Sequence, residues 1–440
     1  MHSEPPVPGS VSVRVEAAAS VQGGIAVPGD KSISHRAVLI GAIAEGESVV
    51  TGFGRSDDTE STISAVRALG VDVAEDGDTI RIAGAGLRGL RAPAGPIDCG
   101  NAGTLARLLP GILAGQRGQQ FELTGDESLS SRPMRRIADP LMRMGAGIET
   151  AQGGVLPLGI DARTLRPIRY QLPVASAQVK SCVLLAGLYA AEGPTTVIES
   201  VRTRDHTERM LRSAGARVRS EPGGVEIWPA ARLDPVRLAV PGDFSAAAPF
   251  VVAATLLPGS RLRIAGVGVN PTRTGLLDVL ERMGARISPF NRSTSGGEPV
   301  ADLEVEHADL VATEVEPGEV PSLIDELPLF ALAASMAHGD STVRGAEELR
   351  RKESDRIETV VTALRRLGAR IVATPDGFTV RGVPSRPRGG QMDSAGDHRV
   401  AILGAVAGLV SREGVRVGGA EAVSVSFPGF FEQLESISHR

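Results

Sequence analysis

The stretch VPGDKSISHRAVLIGAIAEG runs from Val27 to Gly46, and VPGDFSAAAPFVVAATLLPG repeats its outline from Val240 to Gly259. Both copies set a Pro-Gly-Asp turn before an alanine-rich apolar run that stops at a glycine. The first carries Lys31, His35 and Arg36 where the second has Phe244, Ala248 and Pro249. One chain therefore writes the same turn and helix twice and charges only one of them.

The echo belongs to a longer pattern. Six alanine-rich apolar runs end at Gly46, Gly115, Gly193, Gly259, Gly339 and Gly414. A glycine after such a run reads as a helix stop, where a left-handed residue is needed. Each helix is apolar nearly all round, so it is expected to be buried. A second, amphipathic helix follows most of them. Five of these end in related phrases, RALGVDV, RMGAGIE, RSAGARV, RMGARIS and RRLGARI, whose glycines are residues 70, 145, 215, 284 and 368, spaced by 75, 70, 69 and 84. Short Val/Ile/Thr-rich strands such as TIRIAG and DGFTVRG fill the gaps. The periodicity predicts six strand-helix units of about 70 residues each, the sixth ending in FPGFFEQLESI. The class is α/β, with buried helices and sheets outside. The two Val-Pro-Gly-Asp turns are expected to be the crossings between two lobes of three units. One lobe covers 28–240; the other covers 241–440 plus 1–27, including the strand SVSVRVEA. The active site is expected in the cleft between them.

Composition narrows the function. A chain of 440 residues with 42% hydrophobic content is a packed protein of two or more cores. A net charge of −5 and only 3% aromatic residues argue against a nucleic-acid surface or a base-stacking platform. No run reaches the roughly 18–20 apolar residues of a membrane span. The opening MHSEPPVPGS has neither the basic region nor the apolar run of a signal peptide. Cys99 and Cys182 give no disulfide framework. The expectation is a cytoplasmic enzyme with no nucleic-acid or membrane partner.

The starts of the six buried helices are where the polar residues gather: DKSISHR (30–36), GNAGTLAR (100–107), SAQVKS (176–181), DFSAAAP (243–249), IDELP (324–328) and DHRVA (397–401). Helix N-termini offer unpaired N–H groups and the positive end of the dipole, which suit phosphate and carboxylate. Lys31, Arg36, Arg107, Arg132, Lys180, Arg204, Lys352, Arg356 and Arg399 lie near these ends. In an acidic protein such a set predicts a local anion site. In RRKESDRIETV (350–360), Lys352 and Arg356 are four apart and are expected to share a helical face, with Ser354 or Asp355 as a possible cap. GAGLRG (84–89) matches a dinucleotide fingerprint but is followed by LRAPAGP, not a helix. GIAVPGDKS (24–32) approaches a P-loop but is interrupted by Asp30 and stiffened by Pro28. No metal-ligand motif is present, so a metal is not required.

Taken in order, PGDKSISHR, GNAGTLAR, SSRPM, SAQVKS, TRDHTE, DELP, RKESDR and DHR resemble the 5-enolpyruvylshikimate-3-phosphate synthase family, the 3-phosphoshikimate 1-carboxyvinyltransferases, over nearly the whole chain. The resemblance implies a two-lobed inside-out α/β barrel with three repeats per lobe. It implies transfer of the enolpyruvyl group of phosphoenolpyruvate to the 5-hydroxyl of shikimate 3-phosphate, with release of phosphate, through a tetrahedral intermediate. It implies no metal or organic cofactor, two small-molecule substrates and a monomer. By resemblance, Lys31, Ser32, Arg36, Ser176, Ala177, Gln178, Arg204, Asp325 and Lys352 bind shikimate 3-phosphate. Lys31, Asn101, Gly103, Arg132, Gln178, Arg356 and Arg399 hold phosphoenolpyruvate. Asp325 accepts the hydroxyl proton, Glu353 moves the proton at the methylene carbon, and Lys31 completes the catalytic set. Many members carry a lysine just before the final Phe-Pro, where this chain has Val425, so one phosphoenolpyruvate contact is absent or replaced. SISHR and TRDHTE look like the bacterial subset that includes glyphosate-tolerant members. Several of those have Ala at the position of Gly103, so tolerance does not follow. The sister enolpyruvyl transferases acting on a uridine-diphosphate sugar are the alternative; they lack SAQVKS and the KESDR context. A scaffold that binds anions without chemistry is the third reading, opposed by the intact Asp325 and Glu353.

Overall fold

The fold is that of a computed structural model describing residues 11–440. The N-terminal MHSEPPVPGS, read above as lacking a signal-peptide pattern, lies outside the described residues. The chain divides into two compact units. Unit A comprises Pro28–Pro241 with Thr294–Pro299; unit B comprises the residues up to Val27, Gly242–Ser293 and Val300–Arg440. Each has its own hydrophobic core.

Each unit is an inside-out α/β barrel, with three helices at its centre and sheets outside. In unit A the central helices are Lys31–Ala42, Gly103–Leu113 and Ala177–Gly187; in unit B they are Phe244–Leu256, Leu327–Ser335 and His398–Val410. Phe244–Leu256 is buried at every residue, as a helix with no polar face must be. Within each unit the three pack on one another. Close approach is visible at Gly111, where a Cβ would fall 2.3 Å from the Cys182 carbonyl oxygen. Both cysteines are buried and unlinked, and burial pushes the Cys99 thiol up to about 12.

The sheets repeat one plan. In the first, Glu45–Thr51 pairs in parallel with Arg237–Ala239 and antiparallel with Thr79–Ala85, which pairs antiparallel with Asp72–Asp76. The sheets built on Gln120–Thr124, Thr195–Ile198 and Gly339–Val343 follow the same order. In the sixth, Gly390–Asp393 runs parallel to Val415–Gly418, whose antiparallel partner is Ser12–Val15, with Val13 opposite Val417. The N-terminal strand thus fills the place that a later strand of the same repeat takes elsewhere.

The outer helices are amphipathic, and Gly70, Gly145, Gly215, Gly284 and Gly368 all adopt positive φ just past five of them. The stops of the buried helices differ from expectation. Those helices end earlier, and Gly46, Gly193, Gly259, Gly339 and Gly414 lead left-handed into the next strand at φ 72–97°. Gly115 is not left-handed. A Cβ there would lie 2.2 Å from the Tyr189 ring, so packing requires the glycine, and the left-handed turn falls at Gly118. Among the described residues no helix is long and apolar enough to cross a membrane.

Candidate active site

The predicted residues gather at the N-termini of the central helices, in one group on each unit. In unit A, Asp30 caps the first helix by accepting from the Ile33 amide at 2.8 Å. Lys31 follows at the first helical position, its ammonium 2.8 Å from Asp58. Arg36 lies one turn on, only 4% exposed. Its Nε donates to Thr207 Oγ1 at 2.7 Å, Nη1 to the Ser32 carbonyl at 2.8 Å and Nη2 to Ser181 Oγ at 3.0 Å. All three acceptors are neutral, and among the described residues no carboxylate forms an ion pair with Arg36. Burial lowers its pKa to about 10, partly offset by Glu208 and Asp30, so it stays charged at neutral pH. A buried cation held by hydroxyls and a carbonyl has room in its charge balance for a ligand anion. Arg204 is half-buried and close enough to act electrostatically on Arg36.

The other two helix starts complete this group. Ser176 caps the helix that begins at Ala177, accepting from the Val179 amide. Gln178 takes a hydrogen bond from Arg107 Nη1 at 3.0 Å on Oε1 and gives one to Thr104 Oγ1 at 3.3 Å. Asn101 donates to Asp126 and accepts from Arg132 Nη2, each at 2.7 Å. Arg132 also reaches Ser128 Oγ at 3.1 Å. Gly103 opens the helix Gly103–Leu113 beside both guanidinium groups.

Two readings of charge in unit A need correcting. His35 is fully buried against Thr62 Oγ1 at 2.6 Å, and burial depresses its pKa to about 3, so it is a neutral core residue. Lys180 is turned inward, 1% exposed, between Glu199 at 2.9 Å and Glu208 at 2.7 Å. Its charge is matched by protein carboxylates, not by a ligand.

In unit B the hub is Arg356, 1% exposed. Nε and Nη2 grip both oxygens of Asp397 at 2.8 and 3.2 Å, Nη1 lies 3.3 Å from Asp325, and Nη2 is shared with Glu353 in a short contact. Lys352 approaches Asp325 at 3.7 Å. Burial would raise the Glu353 carboxyl, but Arg356, His398 and Lys352 outweigh it and hold the group well below the usual carboxylate range. Burial would lower the Arg356 pKa, and Glu353, Asp397 and Asp325 together raise it instead. Lys352 and Arg356 do not share a helical face as expected. Asp355 is the cap, accepting from the Glu358 amide at 3.2 Å, so the helix begins only at Arg356 and Lys352 precedes it in irregular chain. Asp325 gathers both cations all the same. Arg399, in the first turn of His398–Val410, sits 3.6 Å from Glu326. Val425 is half-buried at the end of a 3-10 turn, Ala420–Val425, and brings no charge.

Sequence reasoning passed over Asp397, Glu326, Thr207 and Ser181. Asp397 had a visible sign, an acid just before a buried helix. The hydroxyls had none, since their partner Arg36 is 145 and 171 residues away. The GAGLRG segment is confirmed as no nucleotide turn: strand Thr79–Ala85 leads into irregular chain and the next helix begins at Gly103.

Residues 15–434 match the family described as EPSP synthase (3-phosphoshikimate 1-carboxyvinyltransferase). The 3-phosphoshikimate 1-carboxyvinyltransferase of Citrifermentans bemidjiense is 50% identical over 427 residues, 97% of this chain and 99% of that protein. That of Geobacillus kaustophilus is 49% identical over 420 residues, 95% and 98% of the two chains. The EPSP synthase structure from Acinetobacter baumannii superposes with a TM-score of 0.88 at 41% identity, covering 98% of each chain. The enolpyruvyl transferase NikO from Streptomyces tendae, at 19% identity and TM-score 0.77, shares the fold. The repeated architecture, the cationic helix starts and this likeness along nearly the full length place the chain in the EPSP synthase family.

Proposed function

We propose that this protein transfers the enolpyruvyl group of phosphoenolpyruvate to the 5-hydroxyl of shikimate 3-phosphate and releases phosphate, a step toward aromatic amino acids. The observation that carries the reading is the pairing of two partly exposed carboxylates, Asp325 and Glu353, on one buried guanidinium, Arg356, in a chain of this family. The chemistry needs one group to take a proton from oxygen and another to give a proton to carbon. Asp325 takes the hydroxyl proton as the oxygen attacks C2 of phosphoenolpyruvate. Glu353 delivers a proton to C3, making the methyl group of a tetrahedral intermediate. Glu353 then removes a methyl proton, the C2–O bond to phosphate breaks, and phosphate leaves. In the free protein Glu353 is ionised by its neighbours. A substrate carboxylate that takes over Arg356 Nη1 and Nη2 removes that stabilisation and lets Glu353 bind the proton it must deliver.

On the same reading, Lys31, Ser32, Arg36, Ser176, Ala177, Gln178, Arg204 and Lys352 hold shikimate 3-phosphate, and Lys31, Asn101, Gly103, Arg132, Gln178, Arg356 and Arg399 hold phosphoenolpyruvate. The two groups of residues act on one substrate pair, because the reaction needs both sets of charges at once. The reading carries with it a monomer at work in the cytoplasm. Phosphate release from phosphoenolpyruvate tests it: release is expected with shikimate 3-phosphate and none with a uridine-diphosphate sugar, and the reverse pattern would transfer the chain to the alternative.

Gly103 supplies a further check. A Cβ at this residue would stand 2.9 Å from Arg107 Nη1 and 3.3 Å from Arg132 Nη1. Both are ends of flexible side chains, so Gly103→Ala folds and shifts guanidinium groups at the anion site. Glyphosate resembles phosphoenolpyruvate in charge but is longer, so the added methyl penalises it more. The native chain is expected to be inhibited competitively with phosphoenolpyruvate. Gly103→Ala is expected to raise the glyphosate inhibition constant at least about tenfold, roughly 1.4 kcal/mol, and the phosphoenolpyruvate KM by less. Equal shifts in both constants would contradict this account of Gly103.

A further inference from the structure

The duplicated Pro-Gly-Asp turns begin two helices whose second residues are serines, Ser32 in unit A and Ser245 in unit B. Among the described residues no carboxylate is bonded to Ser32. Ser245 is different: its hydroxyl donates to Glu326 Oε1. Glu326 is wholly buried, 0% exposed. It occupies the cap position of the helix Leu327–Ser335 yet makes no capping bond, because its side chain is committed elsewhere. Arg273, itself 4% exposed, places Nη1 at 3.1 and 3.2 Å from the two carboxylate oxygens and gives Nη2 to Ser245. On another side Arg399 Nη1 stands 3.6 Å from Oε1, and the Arg399 Nε is buried without a hydrogen-bond partner among the described residues. One carboxylate therefore meets the first turns of all three central helices of unit B, those beginning at Phe244, Leu327 and His398. The first turns of three helices and two guanidinium groups thus surround this carboxylate, and Arg273 also reaches Asp243 at 3.4 Å.

We propose that Glu326 is an internal anion. In unit B it takes the position before the duplicated turn that a ligand anion takes before Ser32 in unit A, and it thereby sets the guanidinium of Arg399 for phosphoenolpyruvate. Its role is positioning, since its carboxylate is sealed from substrate. This explains why the second copy of the turn needs no lysine or arginine of its own: its anion is built in. The assignment of Arg399 to phosphoenolpyruvate rests on the function proposed above.

The test uses the full chain with Glu326→Gln and Glu326→Ala. Glutamine keeps the volume and an acceptor for Ser245 but loses the charge that orients Arg399. The KM for phosphoenolpyruvate is expected to rise about tenfold or more, while that for shikimate 3-phosphate stays within about twofold. Glu326→Ala leaves a gap the size of acetate, so added acetate is expected to raise its melting midpoint and lower its phosphoenolpyruvate KM, relative to the unaltered chain in the same acetate. Unchanged constants in Glu326→Gln, equal rises in both KM values, or a Glu326→Ala protein indifferent to acetate would overturn the proposal. If Glu326→Ala does not fold, the two KM values of Glu326→Gln decide alone. If the unaltered chain releases no phosphate, the enzymatic reading falls, and the acetate-dependent melting shift still decides whether Glu326 is an internal anion.

Discussion

Glu353→Gln is expected to lower turnover by roughly 10²–10⁴-fold, the usual share of a positioned acid-base group, with both KM values close to those of the unaltered chain. Glutamine matches glutamate in size and keeps an oxygen for Arg356, so the surrounding geometry survives. What it cannot do is carry a proton to and from carbon. Arg356 remains anchored by both oxygens of Asp397, and Asp397 also receives the Ser354 hydroxyl at 3.0 Å, so the guanidinium does not drift when one of its three carboxylates is neutralised. Steady-state kinetics with both substrates checks this. Turnover within a few-fold of normal would remove Glu353 from the chemistry and leave it as one more counter-ion of Arg356.

Lys180→Met is expected to destabilise unit A by about 3–5 kcal/mol, the cost of breaking a buried pair from one side. The ammonium lies between Glu199 and Glu208, both almost fully buried, and also donates to the Thr203 carbonyl at 3.2 Å. Glu199 is further held by the Thr203 amide and hydroxyl, so it has other partners. Glu208 depends chiefly on Lys180: burial raises its pKa and Lys180 opposes that rise. Without the lysine the rise is larger. A carboxyl whose folded pKa lies above its unfolded value of about 4.3 loses stability as pH rises through the folded pKa, and regains it below the unfolded one. The deficit of Lys180→Met is therefore expected to shrink as pH falls from 8 toward 5. Denaturant unfolding at the two pH values measures it. A deficit under about 1 kcal/mol at pH 8 would show that the pair is not the sealed one the geometry describes.

Two lysines, Lys31 and Lys180, show where sequence reading stops. Lys31 and Lys180 both stand in the first turn of a central helix, and the sequence treats them alike. The difference lies in what folds against them: Glu199 and Glu208 come 19 and 28 positions later and enclose Lys180, whereas Lys31 stays 27% exposed beside Asp58. The helices themselves were legible because a helix apolar on every side has only one place to go. Their duplicated starts were legible because the same turn is written in the same letters. The sixth sheet was less so, since nothing in Ser12–Val15 names Val415–Gly418 as its partner across the whole chain. Spacing misled at Lys352 and Arg356, where a capping aspartate between them moved the helix start by several residues. Glu326 was invisible for a different reason: nothing in IDELP tells its role apart from that of Asp325, and only the fold brings Ser245, Arg273 and Arg399 around it.

The most direct measurement is the reaction itself run in deuterium oxide, with phosphoenolpyruvate and shikimate 3-phosphate, followed by proton and phosphorus magnetic resonance. The expected result is one inorganic phosphate per enolpyruvyl ether formed, with deuterium entering the vinyl positions, because Glu353 places a solvent-derived proton on C3 and a rotating methyl group then gives one back. Failure to form the ether, or an ether whose vinyl protons remain undeuterated through many turnovers, would contradict it.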